Sequence, residues 1–172
     1  MQPSDDRDDT QDKSGIRLRP AAAGDREFLL RAYAASRAIE LSSVSWDDTQ
    51  IAAFVEHQLD AQTSYYREKY ADAAYDIILL DGEPAGRLYV HRGETEISIL
   101  DITVLTERRK NGIGTALIEG LQKEAAASGR TVSVYVENFN PSQNLFRSLG
   151  FSAVGGDEMN ILFEWGNSGS GD

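Results

Sequence analysis

A basic loop with two glycines is the stretch of the chain whose residue types best suit chemistry. Arg108, Arg109 and Lys110 place three cations in succession, and Gly112 and Gly114 follow them. The backbone at glycine can approach a ligand closely, and a helix N-terminus offers unpaired N–H groups with a partial positive charge. The loop therefore predicts a seat for a phosphate or pyrophosphate, with an ordinary strand-to-helix turn carrying a solvated basic cluster as the alternative.

Two elements must position this loop, a strand before it and a helix after it. Residues 97–104 are mostly β-branched and apolar, as expected of a central strand. A helix follows with Ile113, Leu117, Leu121 and Ala125 on one face and Glu119, Gln122 and Lys123 on the other. Residues 131–136 then predict a strand parallel to 97–104 through a right-handed crossover.

The N-terminal half predicts one strand and two helices. Ile16-Arg17-Leu18-Arg19 alternates with period two and should be the first strand. Asp25 is the predicted cap of a helix that runs to about Leu41, and Ser45 is the predicted cap of a second helix that runs towards Tyr70. A hairpin is then expected, with strands over 75–80 and 85–90.

The C-terminal part predicts a short helix and a closing hairpin. Asn140 is the expected cap of the helix, Pro141 suits its first turn, and Gly150 should end it. Strands over 151–154 and 159–165 would complete the sheet. The predicted fold class is α/β (α+β): a mixed, mostly antiparallel sheet of six to seven strands, with one parallel βαβ step and helices on both faces.

Composition narrows the function classes. The 172-residue chain has a formal charge of −11, which disfavours nucleic acid as a partner and suits a cationic amine, although solubility alone also explains it. There is no cysteine and there are two histidines, His57 and His91, so a metal site is not expected. No apolar run approaches the ~20 residues of a membrane helix, and no signal peptide is visible. A cytoplasmic protein without membrane contact is therefore expected.

Three segments are expected along the chain. Residues 1–14 are acidic and nearly devoid of apolar side chains, so they predict a disordered tail. Residues 15–165 predict a single domain, because this length can bury a core of its own. Residues 166–172 are rich in glycine and serine, which predicts a flexible C-terminal tail.

Two motifs resemble the GNAT superfamily of N-acetyltransferases. Residues 109–114 (RKNGIG) match that family's Arg/Gln-x-x-Gly-x-Gly/Ala motif, and the preceding residues 101–105 look like its fourth strand. Residues 140–151 resemble its N-x-x-A-x-x-L-Y-x-x-x-G-F segment, although they are one residue shorter. The resemblance covers roughly residues 15–165 and implies the GNAT-like fold, in which the two parallel strands splay apart where the central strand bulges.

The resemblance also implies acetyl-CoA as cosubstrate, with no metal. In that family the pantetheine arm enters the gap between the parallel strands, and the loop amides hold the pyrophosphate. The residues carried over to the pantetheine arm are Ile102, Thr103 and Val104, with Asn140 and Phe146 beside them. Those carried over to the pyrophosphate are Arg109, Lys110, Asn111, Gly112, Ile113, Gly114 and Thr115.

The implied reaction is direct attack of an amine on the thioester, for which a proton acceptor is needed. Glu96 and Asp101 on the central strand are the candidate catalytic bases, and Glu137 is a third. Strand alternation puts Glu96 and Asp101 on opposite faces unless a bulge intervenes. A structural, hydrogen-bonded carboxylate is the alternative for Asp101, and an exposed strand end is the alternative for Glu96.

The general acid is left open. Many members of the family have a tyrosine that protonates the leaving thiolate, and this chain has Phe146 at that position. Tyr135 or Tyr89 could take the role if the geometry allows. The missing tyrosine also supports an alternative function, a GNAT-like module that binds acyl-CoA as a sensor or partner with little or no transfer.

The acceptor class follows from the resemblance only in outline. It is a primary amine, either on a small molecule or on a protein, and it would lie against the first two helices. Tyr65, Tyr66 and Tyr70 could therefore shape the acceptor pocket, with ordinary core packing as the alternative. Dimers are common in the family, which leaves a homodimer open.

Overall fold

Seven strands form one mixed sheet in the computed structural model, which describes residues 15–109 and 111–166. The strands are β1 (Ile16–Pro20), β2 (Ala74–Leu80), β3 (Glu83–Arg92), β4 (Glu96–Val104), β5 (Thr131–Glu137), β6 (Ser152–Gly156) and β7 (Asn160–Trp165). Their order across the sheet is β1-β2-β3-β4-β5-β7-β6, and within the described residues only the β4–β5 pair is parallel. The predicted fold class is confirmed.

Five helices flank the sheet in the same described residues: α1 (Arg26–Ser36), α2 (Ala38–Ser42), α3 (Asp48–Lys69), α4 (Ile113–Ser128) and α5 (Gln143–Ser148). Single 3₁₀ turns lie at Ala23–Asp25 and Thr106–Arg108. None of the helices in this part of the chain has the length and apolar character needed to cross a membrane. The expectations for residues 1–14, for Lys110 and for the tail beyond Gly166 fall outside the described residues.

The main core lies between the sheet and the face covered by α4 and α5. It contains Ile97, Ile99, Ile118, Leu121, Val132, Val134, Phe146 and Phe163, each less than 7 % exposed. A smaller cluster of Tyr33, Val55 and Leu59 lies between α1 and α3. Each face of the sheet is therefore held by its own apolar cluster, and the strands between them form a fixed frame.

The first predicted helix is two helices, because the chain leaves helical geometry at Arg37. Its φ and ψ are −109° and 10°, and its N–H donates to the carbonyls of Ala34 and Ala35. The predicted end near Leu41 agrees with the end of α2 at Ser42, but the prediction of one continuous helix is wrong. Arg37 stands between α1 and α2, where its side chain can reach across to the sheet.

Three further local predictions needed correction. The cap of α3 is Asp47 rather than Ser45, because Asp47 and Gln50 satisfy each other's backbone N–H groups at 2.8 and 3.0 Å. Asn140 caps the turn at Ser142, accepting from its N–H at 2.9 Å, while α5 itself begins at Gln143. Gln122 is buried rather than solvated, since its amide donates to the Leu149 carbonyl at 2.8 Å.

Candidate active site

The parallel strands β4 and β5 separate halfway along their length. They pair from Glu96 opposite Thr131 as far as Ile99 opposite Val134, whereas β4 stays paired with β3 as far as Val104. The separation begins at a bulge, because Leu100 has no partner between the Tyr89–Asp101 and Val90–Ile99 pairs of the β3–β4 ladder. Beyond Leu100, the β5-facing edge of β4 is therefore open over the described residues.

The open edge carries the backbone groups of Val104. The Leu105 N–H donates to the Ala85 carbonyl at 2.8 Å, on the β3 side. Backbone groups of successive residues in a strand point to opposite edges, so the N–H and C=O of Val104 point to the gap. In agreement, Arg109 reaches into the gap and its Nε donates to the Val104 carbonyl at 3.2 Å.

A cavity of about 810 Å³ extends from the gap to the N-terminus of α4. Its volume is within the range of ligand-binding clefts. Ten residues that the resemblance assigned to cofactor binding line it, namely Ile102, Thr103, Val104, Arg109, Gly112, Ile113, Gly114, Thr115, Asn140 and Phe146. Asn111 is not among the lining residues, since its amide turns back to the Arg108 carbonyl at 2.9 Å. Lys110 is outside the described residues.

The N-terminus of α4 faces this cavity without a side-chain cap. Gly112 precedes the helix with φ = 72°, a left-handed conformation that glycine adopts without strain, and no described side chain accepts from the first turn. Gly114 packs so closely that a Cβ there would lie 3.3 Å from a methyl group of Leu145. The free amides and the two flanking arginines, Arg108 and Arg109, make this end of the cavity electropositive.

A second, smaller cavity of about 110 Å³ lies beside the first. The two cavities share several lining residues, including Thr103, Glu137, Asn140 and Phe146. The polar residues that line the small cavity include Tyr33, Arg37, Gln62, Asp101, Tyr135 and Glu137. It therefore joins the open edge of β4 to the face of the sheet that α1 and α3 cover.

The bulge places Glu96 and Asp101 on the same face of the sheet. Ile97 and Ile99 before the bulge, and Ile102 and Val104 after it, all pack into the core beneath α4. The intervening side chains therefore point the other way, and the unpaired Leu100 absorbs the change of phase. The exception to strand alternation that a bulge allows therefore applies here, and the two carboxylates share a face.

Asp101 lines the small cavity, but both of its oxygens already accept hydrogen bonds. Arg87 donates to it through Nε at 3.1 Å and Nη2 at 3.0 Å, and Thr103 donates from its hydroxyl at 2.8 Å. Arg87 itself is fully buried, with Gln62 as a further acceptor at 2.9 Å. Burial is the largest influence on the pKa of Arg87 and lowers it, but the charge and hydrogen bonds of Asp101, together with the contact to Tyr89, raise it by more, so the net pKa is raised. Arg87 is thus charged, and its hydrogen bonds hold the Asp101 side chain in a fixed position.

Tyrosines surround this pair. Arg87 lies 4.8 Å from the centre of the Tyr89 ring and 5.7 Å from that of Tyr33. Tyr66 donates to the carbonyl of the bulged Leu100 at 2.9 Å, and burial raises the pKa of its phenol. Burial likewise raises the pKa of Tyr89. Both phenols therefore stay protonated at neutral pH and serve as hydrogen-bonding groups.

Glu137, at the end of β5, lines both cavities. Arg37 Nη1 lies 2.9 and 3.0 Å from its two carboxylate oxygens and 3.0 Å from Glu40. Burial lowers the pKa of Arg37, while contacts with Tyr33 and the charge of Glu137 raise it, and the net pKa lies above the ordinary value. One guanidinium thus bridges two carboxylates at the boundary between the cavities.

Glu96 lines neither cavity. It lies where β4 and β5 are still paired, and its Oε1 accepts from the hydroxyls of Ser98 and Ser133, each at 2.8 Å. Of the two possible acids, Tyr135 lines the small cavity and is 64 % exposed, whereas Tyr89 lines neither. Phe146 lines both cavities yet is 1 % exposed, because its ring packs against Phe151 and Phe163.

The predicted aromatic cluster is mostly a packing feature. Tyr66 contacts Tyr65, Tyr70 and Tyr89 ring to ring, with centroids 5.7 to 6.4 Å apart. His91 stacks near Tyr70 and faces Asp72 at 3.3 Å. None of Tyr65, Tyr66 and Tyr70 lines either cavity.

Sequence reasoning missed Arg37, Gln62 and Arg87. The sequence could have indicated Arg87, because a lone arginine between Gly86 and Leu88 in an apolar strand predicts a buried charge with a partner. The sequence gives no comparable indication for Arg37 or Gln62, because both lie far along the chain from the other residues of the site.

Comparison with known proteins gives a consistent result. The sequence profile of the acetyltransferase (GNAT) family matches residues 38–151. No curated protein sequence matches the chain.

Many solved structures share the fold. The PaiA N-acetyltransferase from Thermoplasma acidophilum, solved with coenzyme A, superposes with a TM-score of 0.64 at 16 % identity, covering 87 % of this chain and 97 % of its own. An acetyltransferase from Thermus thermophilus superposes with a TM-score of 0.61 at 19 % sequence identity, and the match covers 87 % of this chain and 96 % of the other. A GNAT family acetyltransferase from Elizabethkingia anophelis, solved with acetyl-CoA bound, superposes with a TM-score of 0.57 at 14 % sequence identity. That match covers 87 % of this chain and 97 % of the other.

Proposed function

This chain belongs to the acetyltransferase (GNAT) family, and on that premise we propose that it transfers the acetyl group of acetyl-CoA to a primary amine by direct attack. The observation that carries the proposal is the coincidence of three features in one cavity. An open strand edge, an uncapped helix N-terminus and the family's glycine loop all line the same cavity of about 810 Å³. The strand edge would recognise one part of a long ligand, and the glycine loop together with the helix N-terminus would recognise another.

The residues of this cavity fit coenzyme A by chemical type. The amides that begin α4, together with Arg108 and Arg109, suit a pyrophosphate. The free edge of β4 at Ile102 to Val104 suits the amides of a pantetheine arm, which can pair there as an added strand. When bound, acetyl-CoA supplies the activated acetyl carbonyl. The Val104 N–H, which points into the gap, suits the oxyanion that develops there.

Among the three candidate bases, we assign proton transfer to Glu137. Both oxygens of Asp101 accept bonds from Arg87 and Thr103, so Asp101 acts in this proposal as a fixed structural charge. Glu96 lines neither cavity. Glu137 touches both, which puts its carboxylate within reach of an amine that approaches the open edge of β4.

The leaving thiolate has no assigned acid among the described residues. Phe146 cannot donate a proton, while Tyr135 lines the small cavity and water can enter beside it. The absence of an acid favours the second candidate function, an acyl-CoA-binding module with little transfer. A binding measurement and a thiol-release measurement together separate the two.

The proposed cosubstrate can be tested by substituting a residue of the glycine loop and measuring coenzyme A binding. Gly114→Leu would fill the cavity at the start of α4, and we expect it to weaken coenzyme A binding by ~100-fold, equivalent to ~2.7 kcal/mol. Isothermal titration calorimetry measures that change directly. Thiol release from acetyl-CoA across a panel of amines measures transfer in the same preparations.

Gly120→Leu is the matched control, because Gly120 lies exposed in the same helix with open space around its Cβ. Its affinity for coenzyme A should equal that of the parent protein. If the parent protein takes up no coenzyme A, or if Gly114→Leu binds as tightly, the proposed function is wrong. Tight binding without thiol release on any amine would favour the sensor module.

A further inference from the structure

Glu137, the carboxylate to which proton transfer is assigned, is already paired with a cation of the protein itself. Arg37 Nη1 contacts both oxygens of Glu137, at 2.9 and 3.0 Å. This geometry is the one expected of a substrate ammonium held by the same carboxylate. Glu137 also lies on the boundary between the two cavities, where an acceptor nitrogen must arrive to reach the open edge of β4.

Arg37 has a second carboxylate partner with which it can remain paired after leaving Glu137. The same Nη1 lies 3.0 Å from Glu40, which lines the large cavity but not the small one. The Arg37 and Glu137 side chains are 24 % and 31 % exposed, so water can replace the contact that is lost. Arg37 can therefore leave Glu137 to another cation and keep one ion pair.

The charges on this side of the site leave one negative charge unbalanced. Asp101 is matched by the buried Arg87, and the single charge of Arg37 is shared between Glu137 and Glu40. One ammonium restores balance. A carboxylate carried next to that ammonium would lie among these three acidic side chains, with both arginines already engaged by Asp101 and Glu40, and would be repelled.

Resting on the proposed function, we propose that Glu137 binds the acceptor's ammonium in the place held by Arg37, and that the acceptor is a small primary amine without a neighbouring carboxylate. The small cavity, at about 110 Å³, has room for a compact amine head group and little more. Arg37 is then a specificity-determining residue, occupying the ammonium position in the free protein.

The proton balance of the transfer follows from this arrangement. Glu137 takes one proton from the ammonium, and the neutral nitrogen forms the C–N bond to the acetyl carbon as the C–S bond breaks. The nitrogen's second proton passes to the leaving thiolate, through water. The products are the acetamide, the free thiol and a protonated Glu137, which loses its proton to solvent.

The first experiment compares acceptors that differ by one carboxylate. The pairs are phenethylamine with phenylalanine, and agmatine with arginine, each assayed by thiol release from acetyl-CoA; in both amino acids the only primary amine lies next to the carboxylate. We expect kcat/KM to be ~10- to 100-fold higher for the amine in each pair. Equal or reversed preference would overturn the inference while leaving the proposed function intact.

The second experiment changes the residues one at a time, with KM for the best amine as the readout. Glu137→Gln should raise KM by ~30-fold or more, because the ammonium loses its counter-charge. Arg37→Gln should lower KM by ~3- to 10-fold, since the site is no longer occupied in the free protein. Glu40→Gln should raise KM modestly, because Arg37 then has no alternative partner.

The matched control is Arg26→Gln, which removes another helix arginine that bridges two carboxylates, Glu56 and Asp60, on the exposed surface. Its KM should not change. Unchanged or raised KM in Arg37→Gln would overturn the inference. Thiol release on none of the amines, with coenzyme A still bound, would overturn transfer and the inference together, whereas loss of coenzyme A binding would overturn the proposed function itself.

Discussion

Two arginine–carboxylate pairs lie on the same face of the sheet, and their surroundings give them different properties. Arg87 and Asp101 form two hydrogen bonds with the guanidinium fully buried, while Arg37 meets Glu137 through one nitrogen in a half-open position. A buried pair that loses a partner leaves an unsolvated charge, whereas a half-exposed pair can exchange its partner for water. The same chemistry therefore fixes one carboxylate and leaves the other available.

The contacts around each arginine strengthen this difference. Gln62 accepts a further bond from Arg87, and the rings of Tyr33 and Tyr89 cover its two sides. Arg37 has Tyr33 on one side, but it divides a single Nη1 among acceptors on α2 and β5. Three predictions test whether burial is what separates the two pairs.

The largest effect is expected from Arg87→Met, which removes the buried cation and leaves Asp101 unpaired. We expect the free energy of unfolding to fall by ~3–5 kcal/mol, measured by urea denaturation. The double variant Arg87→Met with Asp101→Asn should recover part of this loss, because no buried charge then remains. A loss below ~1 kcal/mol for the single variant would show that the pair is solvated, and the comparison would fail.

An intermediate effect is expected from a third pair, Arg19 with Asp25. The hydrogen bonds from Arg19, with that from the Ala22 N–H, lower the pKa of Asp25 from 3.8 to about 2. The folded state therefore binds fewer protons, so its contribution is fully present above pH ~4 and is lost as the pH falls towards 2. Because the Arg19 side chain is 39 % exposed, screening reduces that contribution to about 1 kcal/mol.

The measurement is the stability difference between the parent protein and Asp25→Asn, followed by urea denaturation from pH 6 downwards. The difference should be constant near neutrality and shrink below pH ~4. A difference that grows on acidification would reverse the assigned sign and place the shift in the other direction.

The smallest effect is expected from Arg37→Gln. Its pair is half-exposed, so the free energy of unfolding should change by less than ~1 kcal/mol, in the same urea assay that detects Arg87→Met. Arg26→Gln provides the exposed reference. A loss as large as that of Arg87→Met would mean that Arg37 is a structural residue, and the contrast between the two pairs would disappear.

The sequence predicted the features that depend on short-range rules. The succession of strands and helices along the chain, the parallel step and the loop at Gly112 follow from periodicity, crossover handedness and the geometry of glycine. The left-handed residue Gly129 ends α4 as such rules expect. These features need only residues that are neighbours along the chain or within one supersecondary unit.

The rest depended on partners that are distant in sequence. Arg37 ends a helix that its neighbours would have continued, and it pairs with Glu137, one hundred positions away. Gln122 breaks an amphipathic pattern because a carbonyl at the end of another helix accepts its amide. Residue type and spacing made Asp101 look like a base, and only the position of Arg87 reveals that its oxygens are taken.

The unpaired Leu100 determines what lies inside and outside for every later residue of β4. If Leu100 were paired as a regular residue of the strand, Asp101 and Thr103 would turn towards the apolar layer, while Ile102 and Val104 would face the polar side. Deleting Leu100 would instead leave the alternation of the remaining side chains intact and would remove the bulge at which β4 separates from β5.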